Sequence, residues 1–161
     1  MHSLLTRLHH LWLGLSLLPS LLSNSSQRQL LAEMRTLARE LPILLKKPIP
    51  QAMAELEMMR GERPFPLPPE AQTRQLADLA ALLDRRSPLG LCLRRSLLRY
   101  RYLHELGVPV TVLFGAKFAP GDTPDKKKVT GHAWLVLDER PYHEADENWQ
   151  GYTVMLRWPQ E

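Results

Sequence analysis

Three residues of this 161-residue chain have the types and spacing for nucleophilic chemistry: Cys92, His132 and Glu144. Cys92 is the single cysteine and follows Pro88-Leu89-Gly90-Leu91, at the predicted start of a helix. There the unpaired backbone N–H groups and the helix dipole favour a thiolate. The same groups can hold an oxyanion when that thiolate attacks a carbonyl. A thiol nucleophile needs a base, and the base needs a partner that fixes its tautomer. His132 opens the predicted strand Gly131-His132-Ala133-Trp134-Leu135-Val136-Leu137, with small neighbours that leave its ring accessible. A hairpin turning at Asp138-Glu139-Arg140 places residues 142–144 beside 132–134, within reach for Glu144 to orient the imidazole. Arg95 and Arg99 lie on roughly the same helical face as Cys92 and add positive potential. His2, His9 and His10 fall in a leucine-rich segment, and His104 lies about three turns along the helix from Cys92. Each residue alone has a plainer reading: a buried thiol, a structural histidine, an exposed glutamate. Together they form one coherent geometry.

The elements that must position these groups are legible in the patterning. Leu30, Leu31, Met34, Leu37, Ala38 and Leu41 recur at helical spacing, with Arg28, Arg35, Arg39 and Glu40 between them. Ser23-Asn24-Ser25-Ser26 supplies cap candidates for this helix, and Pro42, followed by Pro48 and Pro50, marks its end. A short helix over 51–59 follows, then an extended linker, Pro64 to Pro69. Further helices are predicted over 70–84 and 91–106, the second ending at Gly107 with Pro109 beyond. After that the period changes to two, and strands are expected over 108–118, 132–137, 140–143 and 152–156. Helices first, then strands joined by short turns, predict an α+β fold with a small antiparallel sheet. The expected organisation is a helical region over 1–69, closed by the proline linker, and a core domain over 70–161.

Composition narrows the function. With 44% apolar and 24% charged residues the chain is an ordinary globular domain. One cysteine excludes an internal disulfide framework and any all-cysteine zinc site, and fits a reducing, cytoplasmic compartment. The net charge of +4 is spread along the chain. Its one basic run, Lys126-Lys127-Lys128, sits among turn residues and reads as a solvated loop tip, so no nucleic-acid partner is expected. Residues 11–22 resemble the apolar stretch of a signal peptide. However, the preceding charge is weak, Pro19 interrupts the run, and no A-x-A pattern follows. A helix of the folded domain is the preferred reading, with a signal peptide or membrane-surface helix as alternatives; the run is too short for a convincing membrane span.

Leu91-Cys92-Leu93-Arg94-Arg95-Ser96, then Leu106-Gly107-Val108-Pro109, then Gly131-His132-Ala133-Trp134-Leu135 resemble the lasso-peptide maturation B2 proteins. These are leader peptidases with a transglutaminase-like, papain-related cysteine-protease core. The resemblance spans residues 70–157 and rests on motifs of moderate specificity, shared with transglutaminase-like domains of other chemistries. It implies Cys92 as nucleophile and His132 as general base. The family's third member is usually an aspartate, which by spacing falls here on Glu144, with Asp146 as the fallback. The Ala119–Lys128 segment is a second departure, longer than a usual hairpin connection. The implied partners are a precursor peptide, a leader-recognition B1 protein and an ATP-dependent lasso cyclase. Residues 1–69 lack the strand patterning of a fused recognition module, so recognition is expected in trans.

The resemblance implies that the Cys92 thiolate attacks the carbonyl at the leader–core junction, His132 protonates the leaving amine, and water then hydrolyses the thioester. No cofactor or metal is expected, and no phosphate-binding glycine motif occurs. Three alternatives stand beside it. The same triad could transfer the acyl group to an amine. The chain could be a peptide-binding module with a buried thiol. A metal site from His143, Glu144 and Asp146 is disfavoured by its loose spacing.

Overall fold

The structure is a computed structural model of the chain and describes residues 19, 21–59, 61, 63–120 and 127–160. The apolar run over 11–22 thus lies almost wholly outside the described residues. Helix α1, Ser25–Leu44, starts at Asn24, whose side chain accepts from the backbone N–H groups of Ser26 and Gln27. Its buried stripe is the predicted one: Leu30, Met34, Leu37, Ala38 and Leu41. Pro42 does not end the helix as expected; α1 continues to Leu44 with the proline inside its last turn. Burial of Leu44 against the core holds that turn despite the missing donor. Helix α2, Ile49–Met58, begins two residues earlier than expected, with Pro50 in its first turn, where a proline costs no hydrogen bond.

Helix α3, Glu70–Leu83, and helix α4, Leu91–Glu105, agree with the sequence reading to within a residue. Gly107 sits at φ +78 just past α4, and its N–H donates to the His104 carbonyl, closing the helix as a left-handed residue does. The core is continuous across the proline linker. Met34, Leu41, Met53 and Leu56 share one buried cluster with Leu76, Leu97, Leu103 and Leu135.

Strands β1 (Thr111–Pro120), β2 (Lys127–Leu137), β3 (Arg140–Pro141) and β4 (Thr153–Trp158) form one antiparallel sheet in the order β3-β2-β1-β4. The architecture is α+β, as predicted. β2 starts five residues earlier than expected, because the β1–β2 hairpin pairs continuously from Thr111↔Val136 to Pro120↔Lys127. The two ends of the long 119–128 segment, 119–120 and 127–128, are therefore strand. A short helix α5, Asp146–Trp149, was not foreseen; four residues give no period to detect. Among the described residues, no helix is long and apolar enough to cross a membrane.

Gly115 pairs with His132 across β1 and β2, at an irregularity in the β1–β4 register. A Cβ there would lie 2.8 and 2.9 Å from carbons of the Trp134 ring and 3.1 Å from Tyr152 Cβ. The missing side chain is what lets Trp134 lie flat beside the histidine. Gly115→Ala is expected to cost about 1–3 kcal/mol as an overpacking change, read as a lower denaturant midpoint at unchanged m-value.

Candidate active site

The Cys92 helix start is tied down from several sides. The Arg94 guanidinium donates to the backbone carbonyl of Asp84, the residue that ends α3, and the Arg94 N–H donates to the Gly90 carbonyl. One turn into α4, Ser96 Oγ donates to the Ala133 carbonyl at 2.9 Å, fixing the helix against β2 next to His132. Cys92 and His132 consequently stand close enough to interact, and the thiol also meets the Ala133 backbone. The other ring nitrogen, His132 Nε2, faces Glu144 Oε1 at 3.6 Å. That is an ion-pair separation, longer than a hydrogen bond. Both atoms are buried and without a hydrogen-bond partner among the described residues. Such contacts commonly tighten when substrate closes the site.

Glu144 does not arrive by the predicted route. Strand pairing ends at Val136↔Pro141, and His143 turns the chain with φ +48, so Glu144 stands on a loop after β3, not on a neighbouring strand. Two arginines hold that loop. Arg95 Nη2 donates to Glu144 Oε2 at 2.5 Å, and Arg99 Nη1 donates to the His143 carbonyl at 3.3 Å. Arg95 and Arg99 were expected to bathe the thiol in positive potential; instead Arg95 pairs with Glu144 and Arg99 with Asp78. Asp146, the alternative third member, lies in exposed α5, where its carboxylate accepts from Trp149 Nε1 at 3.3 Å. His104 is exposed toward the far end of α4 and stacks on Tyr100. Among the described residues no three His, Cys, Asp or Glu side chains are grouped to hold a metal ion.

The electrostatics favour an ion pair. Burial alone would push the Cys92 thiol up, but the hydrogen bonds from His132 and the Ala133 backbone, with the imidazolium charge, bring it below its ordinary value. Burial would likewise lower His132, yet its bonds to Cys92 and the Glu144 charge raise it to about 9. For Glu144, burial is outweighed by His132, the Arg95 charge and a hydrogen bond from Asn148, which keep it ionised. The His132 ring is also held by its neighbours, stacked on Trp134 at 5.6 Å and tilted against Tyr152 at 5.2 Å.

The structure brings the three predicted groups together, and the sequence did not point to several side chains around them: Ser96, Asn148, Tyr152, and Arg95 as a carboxylate partner. Only the spacing of Arg95 and Ser96, three and four residues after Cys92 on one helix, carried a signal.

Because the folded-state thiol lies low only through its partners, His132→Asn is expected to shift Cys92 upward, leaving burial opposed only by the Ala133 and Leu93 backbone. Iodoacetamide labelling near neutral pH should slow about 10-fold or more, with the labelling midpoint moving to higher pH. Intact mass reads this without ambiguity, since the chain has one cysteine. An unchanged midpoint would show that the pair does not set the thiol.

A helix-start cysteine beside a strand histidine, with a loop carboxylate at the histidine's far nitrogen, is an arrangement suited to acyl transfer through a thioester. Residues 37–157 match the sequence model of the transglutaminase-like superfamily, and the chain belongs to that superfamily. The match includes all three site residues, and the superfamily contains both cysteine proteases and acyl transferases. No curated protein and no solved structure matches the chain.

Proposed function

We propose that the chain is a cysteine peptidase that removes the leader from a ribosomally made precursor peptide during lasso-peptide maturation. The single observation that carries the enzymatic part is the interaction of Cys92 with His132, whose Nε2 faces Glu144 Oε1 at 3.6 Å. The leader-peptidase part rests on the resemblance of the Cys92, Gly107 and His132 motifs to the B2 proteins.

In this reading the Cys92 thiolate attacks the carbonyl at the leader–core junction, and the Cys92 backbone N–H at the start of α4 helps hold the oxyanion. The imidazolium of His132 gives its proton to the leaving amine, breaking the C–N bond and leaving a thioester. His132, now neutral, takes a proton from water as the water attacks. The leader is released as a carboxylate and the thiol is restored. Glu144 stays ionised throughout and holds the ring. Partners would be the precursor, a leader-recognition B1 protein in trans and the ATP-dependent lasso cyclase. The proposed compartment is the cytoplasm.

Incubation with a precursor peptide and its recognition protein tests this by product mass. Two fragments whose masses sum to the precursor plus one water support hydrolysis. Amide products formed with an added amine would favour the acyl-transfer alternative. Glu144→Gln is expected to reduce cleavage about 10²–10⁴-fold, and Asp146→Asn to leave it within about 2-fold. The reverse pattern would move the third role to Asp146. Cleavage should fall off above a pH of about 9, where His132 loses the proton the leaving amine needs, and on the acid side as Cys92 gains one.

A further inference from the structure

Antiparallel pairing turns the N–H and C=O of alternate residues toward the neighbouring strand and those of the residues between them away. On β2 the Leu135 carbonyl accepts from the Tyr142 N–H at 2.8 Å, and the Ala133 carbonyl accepts from Ser96 Oγ at 2.9 Å. Neither donor belongs to β1, so Leu135 and Ala133 point outward, and by the period of two so do Gly131 and Val129. β3 pairs only with Val136 and Leu137, and among the described residues no other strand lies on that side of β2. The edge is therefore covered at Leu135 and at Ala133, and continues past them toward the hairpin end.

The nucleophile stands at this edge, since the Cys92 thiol meets the Ala133 backbone. A carbonyl attacked by Cys92 brings its own chain alongside Gly131 and Val129. Space is available there: a Cβ at exposed Gly131 would find nothing nearer than the Gly115 carbonyl oxygen at 3.9 Å. Two residues further, Val129 is directly opposite Phe118, and the two are 61% and 73% exposed. They share a sheet face with Gly131 and Ala116, so two small residues separate the catalytic edge from an apolar pair.

We propose that Val129–Gly131 of β2 is the edge to which the substrate adds as a further strand, and that Phe118 and Val129 receive an apolar side chain of the peptide. With the Ala133 carbonyl already taken by Ser96, the attacked residue lies opposite Gly131, and that side chain belongs to the residue two away from it. Backbone pairing supplies affinity and the apolar pair supplies selectivity, as in other strand additions. The proposal rests on the peptidase reading and adds the substrate feature it selects.

Tetrapeptidyl vinyl sulfones, identical except for Leu, Ala or Asp at one position in turn, test this through the rate at which intact mass shows Cys92 modified. Leu two residues from the electrophile-bearing residue should outpace Asp there by about 10-fold or more. In the Phe118→Ser/Val129→Ser double variant that preference should collapse to about 2-fold, with the iodoacetamide rate unchanged as evidence of an intact site. Hydrogen exchange should slow at the Val129 and Gly131 amides of the labelled protein, and stay as it was at His132, whose amide already faces β1. Retained preference in the double variant, or no slowing at Val129 and Gly131, overturns the proposal alone. Failure of every peptidyl probe to label a Cys92 that iodoacetamide does label overturns it together with the peptidase reading.

Discussion

Cys92→Ala is expected to lower precursor cleavage by on the order of 10⁵-fold or more, with the denaturant midpoint nearly unchanged. Loss of the nucleophile from a unit of cooperating groups removes almost all of that unit's contribution at once. The remaining groups cannot compensate, because His132 and Glu144 only move and stabilise a proton, and no other thiol exists in the chain. Stability should hold because Cys92 is only partly buried and is not a member of the buried core cluster. The same substitution tests the mechanism: cleavage retained at the wild-type rate would overturn Cys92 as the nucleophile, whereas no cleavage by the wild-type chain and a Cys92 labelled only after denaturation would leave a binding module as the better account. Adding His132→Ala to Cys92→Ala should cost little more, since the histidine acts through the thiol.

Asp78→Ala is expected to destabilise the fold by about 3–5 kcal/mol, the cost of leaving a buried charge without its partner. Arg99 and Asp78 are 5% and 8% exposed and meet through two hydrogen bonds, 2.5 Å from Nε and 2.7 Å from Nη2. Removing the carboxylate strands the guanidinium between α3 and α4. The denaturation midpoint measures the loss. The double variant Asp78→Leu/Arg99→Met should recover much of it, because apolar groups of similar size replace a buried pair at little cost. Activity should not recover in parallel. Arg99 also donates to the His143 carbonyl, immediately before Glu144, and Met cannot. A double variant that is stable but several-fold slower would assign Arg99 a positioning role; equal recovery of both would confine it to the core.

The sequence by itself determined the elements whose patterns are long and local. The stripe Leu30 to Leu41 and the Asn24 cap specify α1. The glycine at 107 ends α4, and the alternation through Val112 and Phe114 specifies β1. It also placed the candidate nucleophile and base, since a cysteine at a helix start and a histidine opening a strand are local facts. Boundaries were decided by packing: Leu44 draws the helix past Pro42, and ladder pairing with β1 extends β2 back to Lys127. Glu144 does stand beside His132, but it arrives there by another path. Simple hairpin register puts Glu144 on a strand, whereas the left-handed turn at His143 carries it there on a loop. No spacing rule shows that Arg95 takes Glu144, that Arg99 takes Asp78, or that Trp134 and Tyr152 flank His132. Those partners lie 21 to 49 residues apart for the ion pairs. Only the folded chain brings such distant groups together, because burial then requires each charge to find its partner.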